Sequence, residues 1–259
     1  MGNLSGMIWI ELRKAIRSRM PLWTALMSMF MPLGIAFLLF VARNPQIAEK
    51  LGLVSAKANL IAYSATDWPT YMVFYGQIIG AGGLILCVLI LGWIFGREFA
   101  DGTLKDLLAV PVQRASIILA KFIVGAIWSA GMTLVIFIAG LVMGALLKLP
   151  GSSLSVILRG GALVGVTACL VIVVVTPFAL FASLGRGYLL PIGVAIILMM
   201  AMNLAQILGV AEYFPWAVPV LYAQGEISLP PISYWSVLIT GLAGIYATYL
   251  WWKIADQNR

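Results

Sequence analysis

The sequence predicts an all-α membrane protein with six transmembrane helices, and three observations support this fold class. Of its 259 residues, 63% are hydrophobic and only 10% are charged, whereas soluble domains have about 25% charged residues. Six apolar segments are each long enough to cross a hydrocarbon core of about 30 Å as a helix. The basic residues between these segments are unevenly shared between the two sides, as topology rules require.

The apolar runs give the predicted spans in chain order. They are residues 22–42, 71–96, 118–147, 160–183, 188–210 and 233–252. The third run is longer than a bilayer requires, so its first turns are expected below the membrane. The fourth contains Thr176-Pro177, and a kink is predicted there because proline removes a helical hydrogen bond. The stretches between spans are too short for a soluble domain, so residues 1–259 are interpreted as one transmembrane domain.

The basic residues predict the orientation of this domain. If the N-terminus is cytosolic, six crossings return the C-terminus to the cytosol. Eleven of the 16 Lys and Arg residues then lie inside and five outside. Because positively charged loops stay in the cytosol, the sequence predicts an N-in, C-in topology.

An amphipathic helix is predicted before the first span, over residues 7–20. At helical spacing its apolar side consists of Ile8, Leu12, Ala15 and Ile16. Its polar side consists largely of Glu11, Lys14, Arg17 and Ser18. A basic helix of this kind lies along a membrane surface with its apolar side in the lipid. It acts either as a plain anchor for the first span or as a connecting helix that also touches a cytosolic partner.

A second short helix is predicted in the cytosolic loop of residues 98–112. Asp101 or Thr103 can cap a helix that continues through Leu108 and ends before Pro111. This helix would carry an apolar stripe just outside the membrane, and an exposed apolar stripe flanked by charge is typical of a docking surface. The alternative is a helix that lies on lipid. The stripe consists of Leu104, Leu107 and Leu108.

The outer segment of residues 211–232 is too apolar for a solvated loop and too interrupted for a straight span. It contains Pro215, Pro219, Pro230 and Pro231. Irregular backbone at membrane depth is tolerated only where protein or a cavity shelters it. The segment is therefore predicted to be re-entrant, and the alternative is an ordinary interfacial loop.

Few polar side chains lie within the spans, and three of them share the outer half of the membrane. Gln77 is in the second span, while Asn203 and Gln206 are in the fifth. Their simplest role is hydrogen bonding between helices. The sharper hypothesis is that they line a substrate path together with Phe74, Met199 and Met200, because adaptable Met and aromatic walls suit a hydrophobic or amphipathic substrate.

Several functions are excluded by residues that the sequence lacks. It has no histidine and only two cysteines, so neither a metal site nor a histidine-dependent catalytic group is expected. No Gly-x-x-x-x-Gly-Lys-Ser/Thr motif occurs, so no ATP site of that kind is expected. The basic residues form no patch suited to nucleic acid. A secondary transporter or channel remains an alternative, but no span has a carboxylate or a lysine near its middle.

One run of residues resembles the cytosolic loop of ABC-2 type permeases. The run is Glu98-Phe99-Ala100-Asp101-Gly102-Thr103-Leu104, followed by Leu107-Leu108, Pro111, Arg114 and Lys121. That family shares the six spans, the amphipathic N-terminal helix and the apolar segment before the last span. The resemblance therefore extends over essentially the whole chain.

The resemblance implies a transport subunit without a catalytic residue, a cofactor or a metal of its own. ATP and Mg would bind to a separate ATP-binding cassette ATPase, and two such ATPases would join this chain and a second copy or a paralogue. The loop would be the coupling helix, with Glu98, Asp101, Gly102, Thr103, Leu104, Leu107 and Leu108 serving the contact with the ATPase. Spans two and five would flank the path at the interface between permeases.

The same resemblance implies an exporter in a prokaryotic plasma (inner) membrane. Candidate substrates are a peptide antibiotic, a hydrophobic drug or a lipid-like molecule. The partners are then the ATPase, the second permease and membrane lipid, with no nucleic acid. The alternative function is a secondary transporter or channel that works without an ATPase.

Overall fold

A computed structural model describes residues 2–44, 67–103, 112–225 and 229–254. Over these ranges the regular structure is helical throughout. The helices are α1 (Gly2–Arg17), α2 (Met20–Arg43), α3 (Trp68–Ala100), α4 (Arg114–Leu146), α5 (Leu154–Val174), α6 (Phe178–Leu184), α7 (Leu189–Ile207), a 3-10 turn (Ala211–Tyr213), α8 (Val218–Gln224) and α9 (Pro231–Ile254).

Six helical segments are long and apolar enough to cross a membrane, which confirms the predicted fold class. They are Met20–Val41, Trp68–Ala100, Arg114–Leu146, Leu154–Leu184, Leu189–Ile207 and Pro231–Ile254. The fourth segment comprises α5 and α6. Helices α3 and α4 have 33 residues each, so each is about 50 Å long and exceeds the hydrocarbon thickness of about 30 Å.

Helix α3 is the central helix of the bundle and α7 is a peripheral one. In the most apolar window of each helix, 67% of the α3 residues are buried but only 22% of the α7 residues. Asp67 caps the start of α3, where its Oδ1 accepts a hydrogen bond from the Thr70 amide at 3.0 Å. Hydrogen bonds from Thr70 lower the pKa of Asp67.

Helices α3 and α4 pack closely because tyrosines on α3 face glycine on α4. Tyr71 Oη donates to the Gly140 carbonyl at 3.0 Å, and Tyr75 Oη donates to the Ile136 carbonyl at 3.2 Å. A Cβ at Gly140 would lie 2.4 Å from the Tyr75 ring, so a larger residue there would force the helices apart.

The fourth span is interrupted between α5 and α6, at the predicted position of the kink. Thr176 Oγ1 donates to the Val173 carbonyl at 3.1 Å and to the Gly241 carbonyl of α9 at 2.7 Å. Pro177 lies against α9, where a Cβ on Gly244 would be 2.4 Å from the Pro177 nitrogen. The break is therefore stabilised by a direct contact with the last helix.

Candidate functional site: a buried ion cluster and a second cavity

Four charged side chains form a cluster where α1 meets the ends of α3 and α4. We call Glu11, Lys14, Glu98 and Lys121 the ion cluster. Lys121 Nζ lies 3.0 Å from both Glu11 Oε2 and Glu98 Oε1, and it also donates to the Ile94 carbonyl at 3.2 Å. Lys14 Nζ lies 3.0 Å from Glu11 Oε1 and 3.0 Å from Glu98 Oε1. Two carboxylates and two ammonium groups therefore neutralise one another.

Three members of the cluster are almost completely buried. The side chains of Lys121, Glu98 and Glu11 are 0%, 2% and 4% exposed, and that of Lys14 is 30% exposed. Removing one partner from a buried ion pair leaves an uncompensated charge. The cluster therefore holds three separate helices in one arrangement.

Local structure explains why these side chains meet. Helix α1 packs on α4 through buried residues at helical spacing, including Met7 and Ala15, and Glu11 lies on the same face. Glu98 is in the last turn of α3, and Lys121 is in the second turn of α4. Burial lowers the pKa of Lys14, but the carboxylates of Glu11 and Glu98 raise it by more, so its pKa is above the usual value.

The predicted division of the N-terminal helix into an apolar and a polar side is wrong in part. Glu11, assigned to the polar side, is 4% exposed. Ile16, assigned to the apolar side, is 67% exposed, which agrees with a side chain that faces lipid. The face with Glu11 can pack on protein because Lys121 and Lys14 each lie 3.0 Å from its carboxylate and offset part of the penalty for burying its charge. The spacing of apolar residues along the sequence gives no sign that Glu11 pairs with Lys121.

The residues predicted to contact the ATPase fall into three groups. Glu98 lies inside α3 and is buried, so it is not displayed on the surface. Asp101, Gly102 and Thr103 follow the helix and are exposed, and Gly102 has a φ of 68° that favours glycine. Leu104, Leu107 and Leu108 lie outside the described residues.

Thr103 connects the start of this loop to the ion cluster. Its Oγ1 donates to Glu98 Oε2 at 2.7 Å, while the other oxygen of Glu98 accepts from the two lysines. A hydrogen bond to a charged acceptor is stronger than one between neutral groups. The first residues of the loop are thus fixed relative to α1 and α4.

A cavity of about 90 Å³ lies beside α7 and contains part of the predicted substrate path. Its lining residues are Ala81, Met199, Met202, Asn203, Gln206, Ala217 and Val220. Three predicted residues (Met199, Asn203 and Gln206) are therefore brought together. Asn203 is exposed, and its Nδ2 donates to the Met199 carbonyl at 2.8 Å.

The other three predicted path residues do not line this cavity. Phe74 packs against the core, and Gln77 is half-buried on α3. Met200 is 70% exposed and is one residue, or about 100°, around α7 from Met199. Only one side of the fifth span therefore faces the cavity.

One wall of the cavity comes from the segment between α7 and α9. Its short helix α8 packs on α3, where a Cβ on Gly80 would lie 3.0 Å from Val220 Cα, and one on Gly76 would lie 3.1 Å from Ala223 Cβ. Glycines on α3 thus allow a close approach. Gly80 is 12 residues into α3, about 18 Å along its axis.

The sequence interpretation missed Glu11 and the role of Lys121 in the cluster. In the sequence, Lys121 stands out only as part of the motif that begins at Glu98, and Glu11 only as a polar residue of the amphipathic helix. A single carboxylate within a basic segment was the available signal. In the ranges that the structure describes, no group of three or more Asp, Glu or Cys residues is positioned to hold a metal ion.

Six membrane-length helices, with an ion cluster at one end and a partly polar cavity beside α7, define a multi-pass membrane protein. Residues 7–202, from α1 to α7, match the model of a family described as ABC-2 family transporter protein. The chain belongs to this family. It is a membrane subunit of an ABC transporter and, in bacteria, a protein of the inner membrane.

The chain is also similar to a curated protein, the bacitracin transport permease protein BCRB of Bacillus licheniformis. The two are 30% identical over 177 residues, which cover 67% of this chain and 85% of the relative. Both comparisons agree with the resemblance found in the run of residues that begins at Glu98.

Proposed function

We propose that this chain is the permease of an exporter driven by a separate ATP-binding cassette ATPase. Two ATPases, which bind ATP and Mg, assemble with two permeases, either two copies of this chain or this chain and a paralogue. The loop of residues 98–112 contacts the ATPase as a coupling helix. The chain itself contributes no catalytic residue.

The ion cluster is the observation that carries this proposal. It joins α1, α3 and α4 directly at the start of the loop, and Thr103 extends the connection into the loop through Glu98. A movement imposed on the loop would therefore move three helices together. ATP can shift the permease between two states only if the ATPase interacts differently with each, and a rigid connection transmits that difference.

The cavity beside α7 supports a path for an amphipathic substrate. Met199 and Met202 provide apolar contact, while Asn203 and Gln206 provide hydrogen-bonding groups. A peptide antibiotic has both kinds of surface, and the relative from Bacillus licheniformis is named for bacitracin transport. We therefore propose a peptide antibiotic as the substrate class, ahead of a hydrophobic drug or a lipid-like molecule.

Co-purification tests the contact with the ATPase. The double variant Leu104→Asp/Leu107→Asp is expected to lose the ATPase, because two charges replace the apolar stripe. Ile254→Asp is the matched control, since it adds a carboxylate at the exposed end of α9. Undiminished co-purification of the double variant would count against the loop as the docking site.

Substrate-stimulated ATPase activity of the reconstituted complex tests the cavity, with bacitracin as the first probe. Asn203→Leu/Gln206→Leu should reduce the stimulation and leave basal ATPase activity unchanged. Met200→Leu is the control, because Met200 does not line the cavity. Transport by the chain alone, driven by an ion gradient without any ATPase, would contradict the proposed function and favour a secondary transporter.

A further inference from the structure

The outer face of α1 combines exposed apolar and basic side chains. Trp9, Ile10 and Ile16 are 59%, 42% and 67% exposed, and Arg13 and Arg17 are exposed beside them. A groove of about 260 Å³ runs along this face. Its lining residues are Trp9, Ile10, Arg13, Lys14 and Arg17.

The charge in this groove is not balanced by the neighbouring protein. The ion cluster contains equal numbers of positive and negative groups, so it leaves no negative charge for the arginines. Neither Arg13 nor Arg17 has a carboxylate within ion-pair distance among the described parts of the chain. The Arg13 guanidinium lies over the Trp9 ring, 4.9 Å from its centroid. Arginine held in this way presents its remaining N–H groups for a phosphate oxygen.

Along the chain, the groove is continued by exposed apolar residues at the start of α2. Helix α2 begins three residues after α1, and its first turns expose Leu22, Trp23 and Leu26 at 61%, 57% and 54%. Tryptophan and arginine concentrate at the boundary between hydrocarbon and headgroups, where the apolar part of each side chain is buried and the polar tip is solvated. The groove therefore lies at the level of the lipid headgroups.

We propose that this groove binds the phosphate of an anionic phospholipid headgroup. Arg13 and Arg17 contact the phosphate, and Trp9, Ile10 and the start of α2 pack on the glycerol and upper acyl chains. Lys14 lines the groove and lies 3.0 Å from Glu98, so the bound lipid would lie beside a member of the ion cluster. A protein surface would explain the two arginines, but not the continuity with the lipid-facing residues of α2. The site does not depend on the identity of the transported substrate.

Native mass spectrometry of the purified chain tests this site, with phosphatidylglycerol and phosphatidylcholine as the two lipids. The wild-type chain should bind phosphatidylglycerol more tightly. Each basic residue near an anionic surface contributes about fivefold to binding, so Arg13→Gln/Arg17→Gln should weaken phosphatidylglycerol binding roughly 30-fold. Phosphatidylcholine binding should not change. Arg13→Lys/Arg17→Lys, which keeps both charges, should retain most of the preference.

Arg159→Gln is the matched control, because Arg159 is also exposed but lies on α5. It should leave phosphatidylglycerol binding unchanged, and melting temperatures should confirm that all variants are folded. Equal phosphatidylglycerol binding by wild type and Arg13→Gln/Arg17→Gln would overturn the proposal. Displacement of the lipid by an equal concentration of inorganic phosphate would also overturn it, since the site would then bind free phosphate. If Arg13→Gln/Arg17→Gln lost co-purification of the ATPase but still bound phosphatidylglycerol, the face would be assigned to protein docking instead.

Discussion

The polar side chains of the ion cluster are mostly buried and paired, whereas those of the cavity beside α7 are exposed. In the cluster, Glu98 and Lys121 are almost completely buried and each lies 3.0 Å from an opposite charge. In the cavity, Asn203 and Gln206 remain exposed on a helix that is itself peripheral. Polar groups that satisfy one another stabilise the fold, whereas polar groups left open beside a cavity are available to another molecule. Stability and transport should therefore respond to different substitutions.

The largest effect on stability is expected for Lys121→Met. This change leaves Glu11 and Glu98 buried with only Lys14 to neutralise them, and breaking a buried ion pair costs about 3–5 kcal/mol. The reactivity of buried Cys87 with a thiol dye during heating, in a Cys169→Ala background, measures unfolding. Lys253→Met, at an exposed lysine, should have almost no effect.

A second variant separates lost charge balance from lost packing. Adding Glu98→Gln to Lys121→Met removes one charge of each sign and should recover part of the stability. If Lys121→Met alone cost less than about 1 kcal/mol, the ion cluster could not be a structural unit.

The next largest effect is expected for Gly244→Ala, at the contact between α9 and the break in the fourth span. The new Cβ would lie 2.4 Å from the Pro177 nitrogen. A backbone atom cannot move away by a change of rotamer, as a side-chain atom can. Overpacking of this kind typically costs about 1–3 kcal/mol. Gly193→Ala on α7 is the matched control, because no atom lies within 4 Å of its added Cβ. It should be neutral or stabilising, since alanine favours helix. Equal melting temperatures for the two variants would contradict the difference in packing.

The contribution of Lys14 to the stability of the fold should decrease at high pH. Because its pKa is raised above the usual 10.5 by Glu11 and Glu98, its ion pairs contribute fully below that value and are lost as pH rises through the folded pKa. The melting temperature of Lys14→Met should therefore be lower than that of wild type by a constant amount between about pH 6 and pH 9. The difference should shrink above pH 10.5. A difference that grew at high pH would contradict this sign.

The smallest effect on stability is expected for Asn203→Leu. The side chain is exposed and bonds only to the Met199 carbonyl among the described residues, so the free energy of unfolding should change by less than about 0.5 kcal/mol. Substrate-stimulated ATPase activity should nevertheless fall. A large loss of stability would show that Asn203 serves helix packing, which was the simpler of the two interpretations.

The spans were predictable because a single physical requirement sets them. A helix must bury about 20 apolar residues to cross the hydrocarbon core, and the six runs satisfy this without reference to any tertiary contact. The interruption of the fourth span was also visible, because Pro177 cannot donate a backbone hydrogen bond. The spans and the break are therefore both set by residues that are close together in the sequence.

The ion cluster was not predictable in the same way. Glu11 and Lys121 are 110 positions apart, and neither position is marked by periodicity. Their pairing depends on how α1 packs on α4, and buried residues on α1 such as Met7 and Ala15 contribute to that packing. The orientation of α7 is likewise set by tertiary packing. The sequence therefore predicts both Met199 and Met200 for the substrate path, although only Met199 lines the cavity.

Arg114 has a consequence for the far side of the molecule. Its guanidinium Nη1 donates to the carbonyls of Trp252 and Lys253 at 2.9 Å and 3.2 Å. These hydrogen bonds fix the C-terminal end of α9 to the start of α4. Helix α9 is an unbroken rod of 24 residues, about 36 Å long, whose other tip adjoins the segment that contains α8. A displacement of the chain near Arg114 would therefore be transmitted along this rigid helix to the opposite end of the protein.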